Sequence, residues 1–227
     1  MGMYVGPSNW VYVTDGLVLN LDAADPRSYS GLGTTWTDIS GSNNNGTLTD
    51  GAVYNSADGG SIFFDGTDDH VALNSSSSLT FGTGNFTINL YAKLTTIRTN
   101  QYFFDFFENN FAFQYYNTSG PTYVLRYLTN LTGVRDTVYT LNQNQIYNFC
   151  IVRNSGTGYL YLNGSQLNSW SDSENYTSNR LRIARFGGTF ASVNLNGNVY
   201  VFSAYNRALT AAEIQRNFNT YRLRYGL

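Results

Sequence analysis

From Leu17 onward, apolar and polar residues alternate with a period of two, the spacing at which successive side chains of a strand point to opposite faces. Leu17, Leu19 and Leu21 alternate with Val18, Asn20 and Asp22, and Phe86, Ile88, Leu90 and Ala92 with Thr87, Asn89, Tyr91 and Lys93. Shorter apolar runs follow at 61–64, 71–73, 102–107, 111–116, 123–129, 146–153, 159–162, 181–184 and 199–202. Spaced by Gly-, Asn- and Ser-rich turns, they predict roughly twelve to fourteen short strands. Residues 11–13 are a further strand candidate within an N-terminal arm, 1–15, that precedes a domain at 16–227; residues 23–51 read as loop. Asn163-Gly164, between two apolar runs, predicts a tight hairpin whose central residues both need positive φ.

Helical spacing occurs at the C-terminal end. Thr210-Ala211-Ala212-Glu213 is a capping box, Leu209 is placed to staple onto Ile214, and Ile214, Phe218, Tyr221 and Tyr225 form one apolar stripe. Arg222 and Arg224 suit the negative end of the helix dipole. The expected fold is all-β, an antiparallel β-sandwich with one short C-terminal helix docked on it.

Composition narrows the functions. Charged residues make up 12% of the 227 residues and formal net charge is −2, which removes the electrostatic basis for binding nucleic acid or an anionic membrane. No apolar run approaches the roughly 18 residues of a membrane span. The opening 1–7 has neither the basic nor the apolar region of a signal peptide, so synthesis in a cytoplasm is expected. Cys150, the sole cysteine, lies in an apolar run and reads as an inert buried thiol.

Six short stretches occur in an order with meaning: Leu19-Asn20-Leu21-Asp22-Ala23-Ala24, Trp36-Thr37-Asp38-Ile39-Ser40-Gly41, Phe64-Asp65-Gly66-Thr67-Asp68-Asp69, Phe86-Thr87-Ile88, Tyr161-Leu162-Asn163-Gly164 and Tyr205 to Ile214. Together, over about 16–221, they resemble laminin G-like, concanavalin A-like jelly-roll domains. With its capped helix and the ending Phe218-x-x-Tyr221-x-x-Arg224-Tyr225-Gly226, the chain is similar to a variant found in structural proteins of tailed bacteriophages. That likeness implies a virion protein, decorating a capsid or forming part of a fibre, made in the host cytoplasm and exported on the particle.

Chemistry is weighed against this background. Glycan-cleaving sandwiches set two carboxylates on one strand face. Only Glu108, Glu174 and Glu213 are glutamates, Glu213 serves the helix cap, and Asp105 and Glu108 fall on opposite faces of a regular strand. His70 is the only histidine and reads as a half-exposed packing residue, so no enzyme is expected. Asp65, Asp68 and Asp69 are the Ca2+ candidates, with turn-forming as the competing role; Asp22, Asp25 and Asp38 lie in the first loops. No other cofactor is expected.

Sugar rings stack on exposed aromatics, which makes Tyr115, Tyr116, Tyr123 and Tyr127, and Trp170 in the loop after the Asn-Gly hairpin, the glycan-binding candidates; Trp36 reads as core. The functional expectation is therefore a non-enzymatic virion component, homo-oligomeric and attached to other virion proteins, that adheres to cell-surface polysaccharide. A free lectin-like carbohydrate-binding module is the alternative, and a glycoside hydrolase ranks below both. The arm 1–15 would add to a partner's sheet edge.

Overall fold

The computed structural model describes residues 11–107, 111–129, 133–187 and 193–227. In chain order the strands begin with β1 (Leu17–Asp22), β2 (Thr35–Trp36), β3 (Gly46–Thr49) and β4 (Val53–Asn55). Next come β5 (Ser61–Asp65), β6 (His70–Leu73), β7 (Phe86–Leu94) and β8 (Asn100–Asp105). An aromatic group follows: β9 (Phe111–Ser119), β10 (Thr122–Thr129), β11 (Gly133–Val138) and β12 (Ile146–Asn154). The last are β13 (Thr157–Leu162), β14 (Ser165–Ser171), β15 (Arg182–Ile183) and β16 (Asn196–Tyr205), ahead of helix α1 (Ala211–Arg222).

They form two eight-stranded sheets. One runs β14-β13-β12-β7-β16-β5-β4, with β1 also paired to β16; the other runs β11-β10-β9-β8-β15-β6-β3-β2. Every pairing between the named strands is antiparallel, as the sandwich expectation required. The period-two residues of β7 meet the core as expected, with Phe86, Ile88, Leu90 and Leu94 buried between the sheets. Phe103, Phe104, Phe111, Phe113 and Phe149 pack there at centroid distances of 4.9–6.1 Å, mostly edge-on or tilted. Trp36 is fully buried in the same core, and burial pushes the Cys150 thiol pKa up, leaving it unreactive.

Strand signals came short in several places. The stretch 23–51 holds β2 and β3, and β4, β11 and β14 also lie outside the apolar runs. These strands carry Thr, Asn and Ser where long strands carry apolar residues, because they sit at or near sheet edges with little core to face. Asn163 and Gly164 take φ of 49° and 79° between β13 and β14, the hairpin expected. Ser155-Gly156 builds a second one, with φ of 50° and 77°.

Helix α1 starts where its box predicts. Thr210 accepts from the Glu213 N–H at 3.3 Å while Glu213 accepts from the Thr210 N–H at 2.8 Å. Arg207 grips the same carboxylate at 2.6 Å and holds its pKa down to about 2. The stripe Ile214, Phe218, Tyr221 and Tyr225 lies on the outer face of the first sheet, over Tyr91, Tyr200, Val152 and Tyr205. Beyond the helix, Arg224 pairs with Asp22 at 2.8 Å, tying the end of the chain to β1.

Of the arm, residues 1–10 lie outside the described residues. Residues 11–13 form no strand; instead Val13 donates its N–H to Asn217 at 2.8 Å and accepts from the Tyr205 hydroxyl at 2.9 Å, and Tyr12 stacks on Tyr221. The segment 11–15 is therefore committed to α1, because the helix offers polar and aromatic partners that a free edge would otherwise have to supply. No helix among the described residues is long and apolar enough to cross a membrane.

Candidate functional site

The five aromatic candidates do not form one platform. Tyr115 is fully buried, donating no face to solvent, and its hydroxyl accepts the Leu141 N–H at 3.0 Å. Tyr127 is buried too, its hydroxyl 2.7 Å from that of Tyr176. Neither ring can stack on a sugar. Tyr123 packs on Tyr115 at 5.0 Å, on the inner face of its sheet. Tyr116, one residue from Tyr115, faces outward and is half-buried under the Arg126 guanidinium, 3.7 Å from its ring. Trp170 is in strand β14 rather than a loop, lying over Gly158 and against Tyr127 at 4.9 Å. Adjacent residues of a strand cannot share a face, and that divides the tyrosines.

Among the acidic candidates, Asp65, Asp68 and Asp69 do converge, with one carboxylate oxygen from each within 4.8 Å of the others. Burial, reinforced by Asp65 and Asp68, raises the Asp69 pKa. The turn is nevertheless tied by the protein itself. Gly66 O accepts from Arg98 at 2.9 Å, Thr67 O from Asn194 at 2.7 Å, Asp68 O from Arg185 at 3.3 Å, and Asp65 O from Asn196. Asp65 and Asp69 also accept backbone N–H groups, from Thr67 at 2.7 Å and Asp65 at 2.9 Å. Against the six to eight oxygens (about) that Ca2+ takes, the cluster offers three carboxylates with its carbonyls already engaged. Asp22 and Asp25 are paired with Arg224 and Arg27.

Asp105 is fully buried and accepts the Gly187 N–H at 2.7 Å; Glu108 lies outside the described residues. His70 is buried rather than half-exposed, with its Nδ1 3.0 Å from Asp68 O, to which the Nδ1–H tautomer donates, and 3.2 Å from the Arg185 guanidinium, which the other tautomer would accept from. Burial lowers its pKa, so the ring is neutral at pH 7.

Two polar clefts lie elsewhere, at one rim of the sandwich. A cleft of about 200 Å³ is lined by Ser42, Asn43, Asn44, Asn45, Asn74, Ser75 and Ser76. A second, of about 380 Å³, shares Asn74 and Ser75 and continues to Ala72, Arg180 and Arg182. Three segments distant in sequence meet here: the β2–β3 loop, the residues after β6, and the approach to β15.

The walls are rigid for a reason visible in the Trp36–Gly41 stretch. Asp38, buried, accepts from the N–H groups of Asn20, Ser40 and Asn44 at 2.8–2.9 Å and from the Ser40 hydroxyl at 2.9 Å. Asn44, also buried, then bridges Val18 O at 2.6 Å and the Ser78 hydroxyl at 2.8 Å, locking the two loops together. Leu73 N–H to Leu181 O at 3.0 Å closes the third side. On this frame Asn43 and Asn74 are exposed, and neither side chain has a hydrogen-bond partner among the described residues. Asn45 uses only its Oδ1, on the Asp38 N–H. An exposed amide both donates and accepts, the pairing that a vicinal sugar diol needs. Sequence reading passed over these residues because Asn and Ser in a loop look like ordinary turn formers.

Comparison with known proteins fits this geometry. A family model described as Concanavalin A-like lectin/glucanases superfamily matches residues 64–215, more than half of the chain. No curated protein sequence matches it. Among solved structures, the binding domain of Paraclostridial Mosquitocidal Protein 1 superposes with a TM-score of 0.70 at 18% identity, covering 92% of this chain and 53% of that one. This chain thus spans about half the length of that structure. Domain 4 of an extracellular arabinanase from Geobacillus stearothermophilus, solved with arabinotriose, gives 0.68 at 13% identity, covering 88% and 96%. Trypanosoma rangeli sialidase gives 0.68 at 14%, covering 92% and 33%. At such identities the likeness is one of fold. With two antiparallel sheets, a matching family model and a polar rim cleft, the chain belongs to the concanavalin A-like lectin/glucanase superfamily.

Proposed function

We propose that this domain recognises carbohydrate without cleaving it, using the amide-lined rim cleft. The observation that carries the reading is the pair of exposed, unengaged amides of Asn43 and Asn74 on a frame held by Asp38 and Asn44. Such preorganisation spares the entropy that mobile loops would lose on binding. The arabinanase domain of the same fold, solved with arabinotriose, supports the reading. Catalysis has no place in it: Asp105 is buried on a backbone amide and Glu213 is held by Arg207 and Thr210.

A glycan array followed by calorimetry tests this. Wild-type protein is expected to bind a polysaccharide, and Asn43→Ala with Asn74→Ala to weaken it about 10- to 100-fold, two lost sites at about 0.5–1.5 kcal/mol per hydrogen bond. Thermal stability should fall by only about 1 kcal/mol: both side chains are exposed, but Asn43 holds a φ of 59°, a left-handed conformation that Asn tolerates better than Ala. The same titration in EDTA is expected to give the same affinity, because we infer only a weak, water-completed Ca2+ site at Asp65, Asp68 and Asp69. Release of reducing ends, or full binding by the double variant, would overturn the proposal.

We infer further that the domain works from a virion, as a capsid-decorating or fibre component partnered by other virion proteins and by copies of itself. The closing stretch that resembles phage structural domains supports this, since Phe218, Tyr221 and Tyr225 are buried as a helix-docking unit. Exposed Val134 and Val138 on edge strand β11 supply apolar surface for a subunit contact. Mass spectrometry of purified virions should detect the chain; its absence would leave the free carbohydrate-binding module as the setting.

A further inference from the structure

We propose that Arg180 and Arg182 form an oxyanion site in the larger rim cleft, selecting polysaccharides that carry carboxylate or sulfate groups. The inference rests on the carbohydrate reading above and adds the ligand's charge. Arg182 projects from the outer face of its sheet, between cross-strand neighbours Ala72 and Asp105, while Leu181 and Ile183 on either side are buried in the core. It is half-buried, yet among the described residues no carboxylate lies within ion-pair distance of it or of Arg180.

The surrounding charges leave it that way. Asp105 is turned to the Gly187 N–H at 2.7 Å, and Asp50 is taken by Arg185 at 3.4 Å, with His70 3.5 Å from the same oxygen. Burial, then the nearness of Arg185 and Arg180, lowers the Arg182 pKa by more than Asp105 and Asp50 raise it. A protein of net charge −2 with twelve arginines has acidic groups enough to pair it elsewhere in the fold. Concentrated, unpaired positive charge in a concave surface is what recruits an anion.

Arg180 is positioned from below. Its guanidinium carbon lies 4.3 Å from the centroid of the Phe107 ring, and Phe107 holds a φ of 41°, a left-handed conformation costly for a bulky side chain. A guanidinium held over a ring by its carbon leaves N–H groups open to a planar or tetrahedral oxyanion. Asn74 and Ser75, shared with the neighbouring cleft, stand beside the two arginines and would take the hydroxyls of the same sugar.

Binding of polygalacturonate, carrageenan and neutral galactan to the full chain tests the site, the first two separating carboxylate from sulfate. R180Q and R182Q are each expected to weaken binding to one or both anionic polymers at least tenfold, while leaving galactan binding within twofold. R222Q, on the last turn of α1, removes the same charge and should change nothing. R182Q should also keep or raise Tm, since it relieves repulsion; a structural arginine would lower it. Equal affinity for galactan and both anionic polymers, an equal loss in R222Q, or a Tm drop in R182Q overturns the anion site and leaves neutral-glycan recognition standing. Failure of all three polymers to bind overturns both.

Discussion

Replacing Arg153 with methionine is expected to cost about 3–5 kcal/mol of folding stability, the range for removing one partner of a buried ion pair. Arg153 and Asp172 are both almost fully buried, with the Arg153 Nε 3.6 Å from the Asp172 carboxylate. The guanidinium donates to Asp172 O at 3.0 and 3.2 Å, and to Gly82 O and Gly84 O at 3.2 and 3.3 Å. Asp172 in turn accepts from the Tyr176 hydroxyl at 2.8 Å, which meets Tyr127. One cation thus joins β12, the end of β14 and the turn before β7, and its loss strands a buried carboxylate and the carbonyls of Asp172 and Gly84, while Gly82 O keeps the Tyr176 N–H at 2.9 Å. Urea unfolding should show the deficit, with Tm lower by about 10 °C at this chain length. Adding Asp172→Leu to Arg153→Met should recover part of the loss, because the orphaned charge goes with it. A deficit under about 1 kcal/mol would contradict the cluster's role.

Asp38→Ala is the second large effect, and it reaches function. Four hydrogen bonds to one buried carboxylate vanish, three of them from backbone N–H groups. Charge-assisted bonds of this kind are worth about 1.5–3 kcal/mol each in isolation, and partial loop relaxation brings the expected net cost to about 3–4 kcal/mol. The frame beneath Asn43 and Asn45 then loosens, so glycan binding should fall with stability. Asn74→Ala, at an exposed position without a left-handed backbone, provides the contrast: weaker binding at unchanged Tm. If Asp38→Ala kept wild-type affinity, the cleft would not be the binding surface.

Much of this fold was legible along the chain. Long strands such as β7 and β12 announced themselves because each contributes a full apolar face to the core, and the capping box and Asn-Gly turn because their chemistry is complete within four residues. Edge strands β11 and β14 were hidden by the absence of a face to bury, which is also how Trp170 came to be read as loop. The candidate sugar platform failed on the same periodicity that revealed the strands: Tyr115 and Tyr116 belong to opposite faces, and nothing local says which face is inside.

Sequence alone determined that this chain is a sandwich of antiparallel strands ending in a docked helix, since alternation, turns and caps depend only on near neighbours. Tertiary structure decided which tyrosines are sealed and where the polar clefts lie. Residues 43, 74 and 182 meet only after β3, β6 and β15 have paired, and a site made by strand pairing leaves no mark on any one stretch of the chain that builds it.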